Sequence, residues 1–263
     1  MRDLKLALRQ VRYENIAFWR NPAAAFFTFA FPLIFLVIFN LIFGGGTTDR
    51  FSAPGAPEVS LSNFYIPAVA AFSVITACYT NIAIGVTFAR DEGQLKRIRG
   101  TPLPSWAYLF GRIAHAIVVA IILVVIVVAF GIVFYDVDLP TRTLPAFFAS
   151  LAVGGASFAA LGLAVTAIIP NPDASPAVTN ATVLPLLFIS DVFIPLENAP
   201  DWLGTVSGIF PIKHFSHALI TAYNPVGATP GSGFVGSDLI VMAAWGLAGV
   251  AAAARFFSWE PRT

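Results

Sequence analysis

The stretch KHFSH (213–217) sets His214 and His217 three residues apart, on one face of any helix that forms there, a spacing able to chelate a metal ion. Asp191 or Glu197 could complete the site in space, making the chain a metal-dependent enzyme. Two other readings stay open: an interfacial helix with polar ends, and a substrate-facing or proton-sensitive pair. GSGFVG (231–236) matches the glycine spacing of a dinucleotide loop but lacks the strand before it and the acid about 20 residues after it. A phosphate-cradling loop needs Gly directly before its Lys; Lys5, Lys96 and Lys213 follow Leu, Leu and Ile. The single cysteine, Cys78, has none to pair with and sits in an apolar run, as a small buried hydrophobe does.

The remaining charge concentrates in RDEGQLKRIRGTP (90–102), which holds four of the fifteen Lys and Arg. Asp91 and Glu92 precede Lys96, Arg97 and Arg99, and Leu95 and Ile98 stand at i and i+3. A basic membrane anchor needs only the cations; a short amphipathic helix docking on another protein needs the acids and the apolar pair as well. Residue chemistry alone leaves both open.

These groups are set in a chain that is 57% hydrophobic and 11% charged, with mean hydropathy +0.80. Soluble domains carry roughly 25% charged residues, so this is a membrane protein. At about 20 apolar residues per crossing, the chain has room for six or seven spans and little else. Apolar segments at 23–43, 64–89, 107–135, 144–169, 177–193 and 234–257 are expected to be six transmembrane helices, because an unpaired strand cannot satisfy its backbone in lipid. The third is long enough to tilt or project, and Pro32 and Pro185 are candidate kinks. With the N-terminus inside, twelve of the fifteen cations lie on the cytoplasmic side, which predicts both termini there.

Ahead of the first span, residues 1–21 place Leu4, Leu8, Val11 and Asn15 on one helical face and Arg2, Lys5, Arg9 and Arg12 largely on the other, the pattern of a helix lying in the membrane surface. The segment has no cleavage site and is expected to remain in the mature protein. Residues 44–62, rich in Gly, Pro and Ser, read as a poorly ordered outer loop. Between the fifth and sixth spans, prolines 195, 200, 211 and 225 divide 194–225 into two short helices, one with Trp202, Val206 and Ile209 and one with Phe215, Leu219 and Ile220. They are expected to dip back into the outer leaflet as a re-entrant hairpin.

Polar residues within the spans are few. Asn40, Thr80, Asn81 and Asn180, with Phe35 from the Phe-rich first span, are candidates for a substrate path; the usual role of such amides and hydroxyls is a hydrogen bond to a neighbouring helix, and that of such Phe residues is contact with lipid. Paired intramembrane carboxylates are absent from the sequence, which argues against proton or sodium coupling. Small residues in the fourth span (Gly154, Gly155, Ala156, Ala159, Ala160, Gly162) and the last (Gly246, Ala248, Gly249) allow close helix approach, for folding or for a subunit interface.

Taken together, the basic N-terminal helix, the six spans, the acid-Gly-x-Leu-Lys loop (Glu92, Gly93, Leu95, Lys96) ending in Thr101-Pro102, and the Pro-Leu-Glu-Asn-x-Pro-x-Trp segment (Pro195, Glu197, Trp202) followed by Phe210-Pro211 resemble the ABC-2 type exporter permeases, daunorubicin-resistance-like members above all. Gln94 stands where such proteins more often carry Thr. The resemblance covers residues 1–263 as one transmembrane domain and implies a multi-pass protein of the prokaryotic cytoplasmic membrane. It implies a dimer of permease subunits, like or unlike, in contact with membrane lipid and resting on a separate nucleotide-binding ATPase. ATP and Mg belong to that partner, so this chain is expected to hold no cofactor, metal or nucleic acid and to catalyse nothing itself. The 90–106 loop, through Arg90, Asp91, Glu92, Gly93, Leu95, Lys96, Arg97 and Arg99, would couple to the ATPase together with Arg12. The re-entrant segment, with Pro195, Glu197, Trp202, Pro211, His214 and His217, would shape the exit. The cargo would be an amphipathic drug-like molecule or lipid, or alternatively a lipid-linked glycan or polysaccharide.

Overall fold

The computed structural model describes residues 2–43, 47–48, 59–101, 103–190, 192–193, 200–223 and 232–260. Apart from a two-residue antiparallel ladder, β1 (Thr47–Thr48) with β2 (Val59–Ser60), its regular structure is helical. The helices are α1 (Arg2–Trp19), α2 (Pro22–Phe43), α3 (Leu61–Ile75), α4 (Asn81–Asp91), α5 (Gln94–Arg99), α6 (Ser105–Tyr135), α7 (Leu144–Val165), α8 (Ser175–Phe188), α9 (Asp201–Ser207), α10 (Pro211–Tyr223) and α11 (Gly236–Phe256). One π-helical turn, Thr76–Thr80, joins α3 to α4 in a single 31-residue helix.

Among the described residues, five helices are long and apolar enough to cross a membrane: Pro22–Phe43, Leu61–Asp91, Trp106–Tyr135, Leu144–Val165 and Gly236–Phe256. The fifth apolar segment of the sequence forms a helix of only 14 residues, α8. At 1.5 Å per residue that is about 21 Å, short of a hydrocarbon core of about 30 Å. The 31-residue α6, by contrast, runs to about 46 Å and exceeds it. The helix continues through Pro32 in α2 and Pro185 in α8.

The α3–α4 helix is the centre of the bundle, with Phe64, Ile66, Ile75, Cys78 and Val86 buried along it. Around it pack α2, α6, α7 and α10, and α11 lies against α7. The small residues explain how. A Cβ added at Gly249 would stand 3.0 Å from the Ala160 carbonyl carbon, and one at Gly246 would stand 2.7 Å from Ser157 Oγ, whose hydroxyl donates 2.8 Å to the Met242 carbonyl. Both glycines therefore serve contact between α7 and α11 of the same chain. On another side of α7, Gly154 receives the Phe215 ring of α10.

Gly162 of α7 meets the π-helical turn. A Cβ there would lie 2.7 Å from the Tyr79 carbonyl oxygen and 3.0 Å from that of Cys78, both backbone atoms that cannot swing away. Gly162→Ala is thus expected to cost about 1–3 kcal/mol by overpacking. Gly155→Ala, whose added methyl finds its nearest neighbour at 3.8 Å, should be close to neutral. Thermal unfolding of the two variants in one detergent checks the difference.

Candidate functional site

The 90–101 segment leaves the membrane helix through a turn that requires glycine. The chain reverses at Gly93, whose φ of +70° lies in the left-handed region, between the end of α4 and the start of α5. Leu95 is fully buried and Ile98 half-buried, which roots α5 in the bundle. Thr101 Oγ1 donates to the Ile98 carbonyl at 2.7 Å and closes the helix end, and Gln94 donates to Glu92 Oε2 at 2.6 Å. Asp91, Glu92, Lys96, Arg97 and Arg99 are all exposed. The outcome is a charged surface on an apolar root, as the i, i+3 pair predicts. Pro102 lies outside the described residues.

Arg90 does not belong to that surface. It is 2% exposed, and its guanidinium donates to the carbonyls of Thr166 at 3.0 Å and Ile169 at 2.7 Å, just beyond the C-terminal end of α7. Carbonyls at a helix C-terminus lack helical partners and carry the negative end of the dipole, which a cation satisfies. This corrects the expectation that Arg90 couples to a partner: it ties α4 to α7 internally.

Helix α1 packs along α6, near the same end of the bundle from which α5 emerges. Gln10 covers Gly111, where a Cβ would collide with it, and Glu14 pairs with Arg112 at 3.5 Å and accepts a bond from Gln10 at 3.0 Å. The side facing the bundle holds Ala7, Gln10, Val11, Glu14 and Phe18; Leu4, Leu8 and Trp19 are exposed, beside Lys5, Arg9 and Arg12. The predicted apolar face is therefore split: Val11 turns to protein, while Leu4 and Leu8 stay on the outside with the cations. Arg12 is exposed, as a contact to a partner requires.

The two short helices expected between the fifth and sixth apolar segments are present as α9 and α10. Pro211 occupies the first position of α10, where its missing N–H costs nothing, Lys213 Nζ donates to the Gly204 carbonyl of α9 at 3.0 Å, and Trp202 is exposed. Pro195, Glu197 and Asp191 lie outside the described residues. The carboxylate that meets both histidines is Asp238, in the first turn of α11: Oδ1 is 2.6 Å from His214 Nδ1 and Oδ2 is 2.6 Å from His217 Nδ1. His214 Nε2 lies 2.8 Å from the Gly208 carbonyl, so both ring nitrogens are held by oxygen atoms. Here the two imidazoles are fastened to one acid. Among the described residues, no three His, Cys, Asp or Glu are placed to hold a metal ion. Sequence reasoning passed over Asp238 although it is the one acid in the last apolar segment, and an acid inside such a segment is itself a signal.

The candidate path residues do not converge. Asn40 is buried, with Nδ2 donating to the Leu36 carbonyl at 2.9 Å; Phe35 packs among Phe39, Phe72 and Phe193 at 5.5–5.6 Å; Asn180 is exposed on α8. Asn81, the residue after Thr80, instead lines a cavity of about 400 Å3 between α1, α2, the π-helical turn, α4 and α6, where Glu14, Arg112 and His115 also stand.

Comparison with known proteins agrees with this architecture. The model of the ABC-2 type transporter family matches residues 8–223. The chain is similar to the probable multidrug ABC transporter permease YbhR of Escherichia coli (strain K12), 25% identical over 160 residues that make up 61% of this chain and 43% of that protein. It therefore aligns with less than half of that relative's length. It is also similar to the daunorubicin resistance ABC transporter permease protein DrrB1 of Streptomyces coeruleorubidus, 26% identical over 77% of this chain and 69% of the relative. Nodulation protein J of Rhizobium leguminosarum bv. trifolii is 28% identical over 76% and 75%. With the family match spanning most of the chain and five helices fit to cross a membrane, this multi-pass membrane protein belongs to the ABC-2 type transporter family.

Proposed function

We propose that the chain is the permease subunit of an ATP-driven exporter in the cytoplasmic membrane, moving an amphipathic small molecule or lipid outward from the cytoplasm or inner leaflet. A separate ATPase binds ATP and Mg and performs the hydrolysis, and two permease subunits pair around the transport path. The observation that carries this reading is the exposed charge on α5 and the turn before it: Glu92, Lys96, Arg97 and Arg99 stand outside while Leu95 is locked in the bundle. A surface so rooted passes a push from a partner directly into α4 and the central helix.

In this reading α8, with the residues that follow it, completes a sixth span, and α9 and α10 form the re-entrant exit. Both termini face the cytoplasm, on the twelve-to-three division of cations. The relatives named for multidrug and daunorubicin resistance favour a drug-like amphipathic cargo.

Reversing the charge at Glu92 tests the coupling. Because Glu92 is exposed, Glu92→Lys should leave the chain folded and inserted but separate ATP turnover from transport in reconstituted vesicles. Transport at the wild-type rate would reduce the loop to a topological anchor.

A further inference from the structure

The cavity between α1, α2, α4 and α6 has a polar end and an apolar end. At one end the Arg112 guanidinium stands against Gly85, where a Cβ would lie 2.5 Å from Nη1, with Glu14, Asn21 and His115 around it. At the other end Ala77, Ala116 and Val119 form the wall. From Arg112 to Val119, α6 rises about 10 Å, so the two ends are stacked along the helix axis.

Two buried atoms of the polar end make no hydrogen bond: His115 Nδ1, and Arg112 Nε, whose nearest acceptor is Glu14 Oε1 at 3.5 Å. Such atoms are rare in folded proteins, and each calls for an explanation. The Arg112–Glu14 contact at 3.5 Å is longer than a hydrogen bond; Glu14 Oε1 accepts from Gln10 and the Arg112 guanidinium lies over the Tyr108 ring at 5.6 Å, which leaves Glu14 Oε2 and guanidinium N–H groups to meet a further partner. The pair is neutral as a whole. A ligand bearing one charge would satisfy Arg112 or Glu14 and crowd the other with its own sign in a water-poor site. A ligand bearing both charges matches both.

We propose that this cavity binds a zwitterionic amphiphile, an anionic group such as a phosphate on Arg112 and an ammonium on Glu14, with its apolar portion against Ala77, Ala116 and Val119. His115 supplies a further hydrogen bond to the head. This names a substrate class and rests on the exporter reading above. Because Glu14 belongs to α1 and Arg112 to α6, the ligand bridges the surface helix and the bundle.

The test is native mass spectrometry of the full chain in mild detergent, titrated with phosphatidylethanolamine, with phosphatidylglycerol and with a single-charge cationic lipid. Wild type should bind the zwitterionic lipid about tenfold more tightly than either of the others. Glu14→Gln should shift the preference to the anionic lipid and Arg112→Gln to the cationic one. The double swap Glu14→Arg with Arg112→Glu should restore the zwitterion. Should the charge variants fail to fold, Ala116→Leu fills the apolar end without touching the charges and should lower binding of the zwitterionic lipid alone. Competition by glycerophosphoethanolamine separates the two sources of the head: weak competition assigns a membrane lipid, equal competition a soluble zwitterion, and either supports the site. Equal binding of all three lipids, or variants that change nothing, would overturn it. The measurement needs no ATPase. Lost lipid selectivity with an ATPase still co-purifying removes this site alone, while retained selectivity without an ATPase removes the exporter reading alone.

Discussion

Arg90→Met should destabilise the folded chain by about 2–4 kcal/mol, although it removes a residue from the most charged segment of the sequence. The side chain is buried and bridges α4 to the carbonyls of Thr166 and Ile169. Hydrogen bonds to a charged donor are worth about 1.5–3 kcal/mol each, and a buried carbonyl left bare costs about 1–3 kcal/mol. Methionine fills much of the volume, so the loss isolates the charge and its bonds. The relief of no longer burying a guanidinium offsets part of this, which is why the figure is below the simple sum. Arg97→Met, seven residues on and exposed, should change stability by less than about 0.5 kcal/mol. Denaturant unfolding in detergent reads both; equal stability of the two variants would return Arg90 to the docking surface.

Asp238→Ala should cost about 1–3 kcal/mol, the range for leaving a buried hydrogen-bonding group without its partner. The Asp238 side chain is 7% exposed and receives His214 and His217 on separate oxygens, joining the first turn of α11 to α10. Most of the loss arises at His214, whose second nitrogen is already committed to Gly208. His217, with a side chain 50% exposed, is resolvated by water and contributes little. His217→Ala should therefore fall well short of the effect of His214→Ala. Comparison of melting temperatures for the three variants checks this order, and equal effects for both histidines would contradict it.

How far these features could be read in advance depends on what each rests on. The spans follow from run length and apolar content, which is why predicted and observed helix ends differ by a few residues in α2, α6 and α11. The shortness of α8 is less visible, because the apolar segment continues past the point where the helix stops at Phe188. The face of α1 is harder still. In a membrane, lipid and protein interior are equally apolar, so hydropathy cannot say which side of the helix meets which, whereas residue size can: Ala7 and Gly111 mark the protein contact, Leu4 and Leu8 the outside.

The site residues divide in the same way. Leu95, Ile98 and the cations of α5 obey a local periodicity and were legible. Arg90 was not, because its acceptors are 76 and 79 positions away and are backbone carbonyls that no residue type announces. The Glu14–Arg112 pair is equally remote in sequence. Arg112 inside an apolar segment reads as an anchor charge until the fold sets α1 beside it.

Docking of a separate ATPase on α5 is tested most directly by affinity purification of the tagged chain from native membranes in mild detergent, with ATPase activity assayed in the eluate. Wild type should bring down an ATPase in roughly equal amount, and the Arg97→Ala/Arg99→Ala variant, equally well folded, should lose it. A well-folded wild-type chain with no accompanying ATPase, or a double variant that keeps one, would contradict the role assigned to the exposed charges of α5.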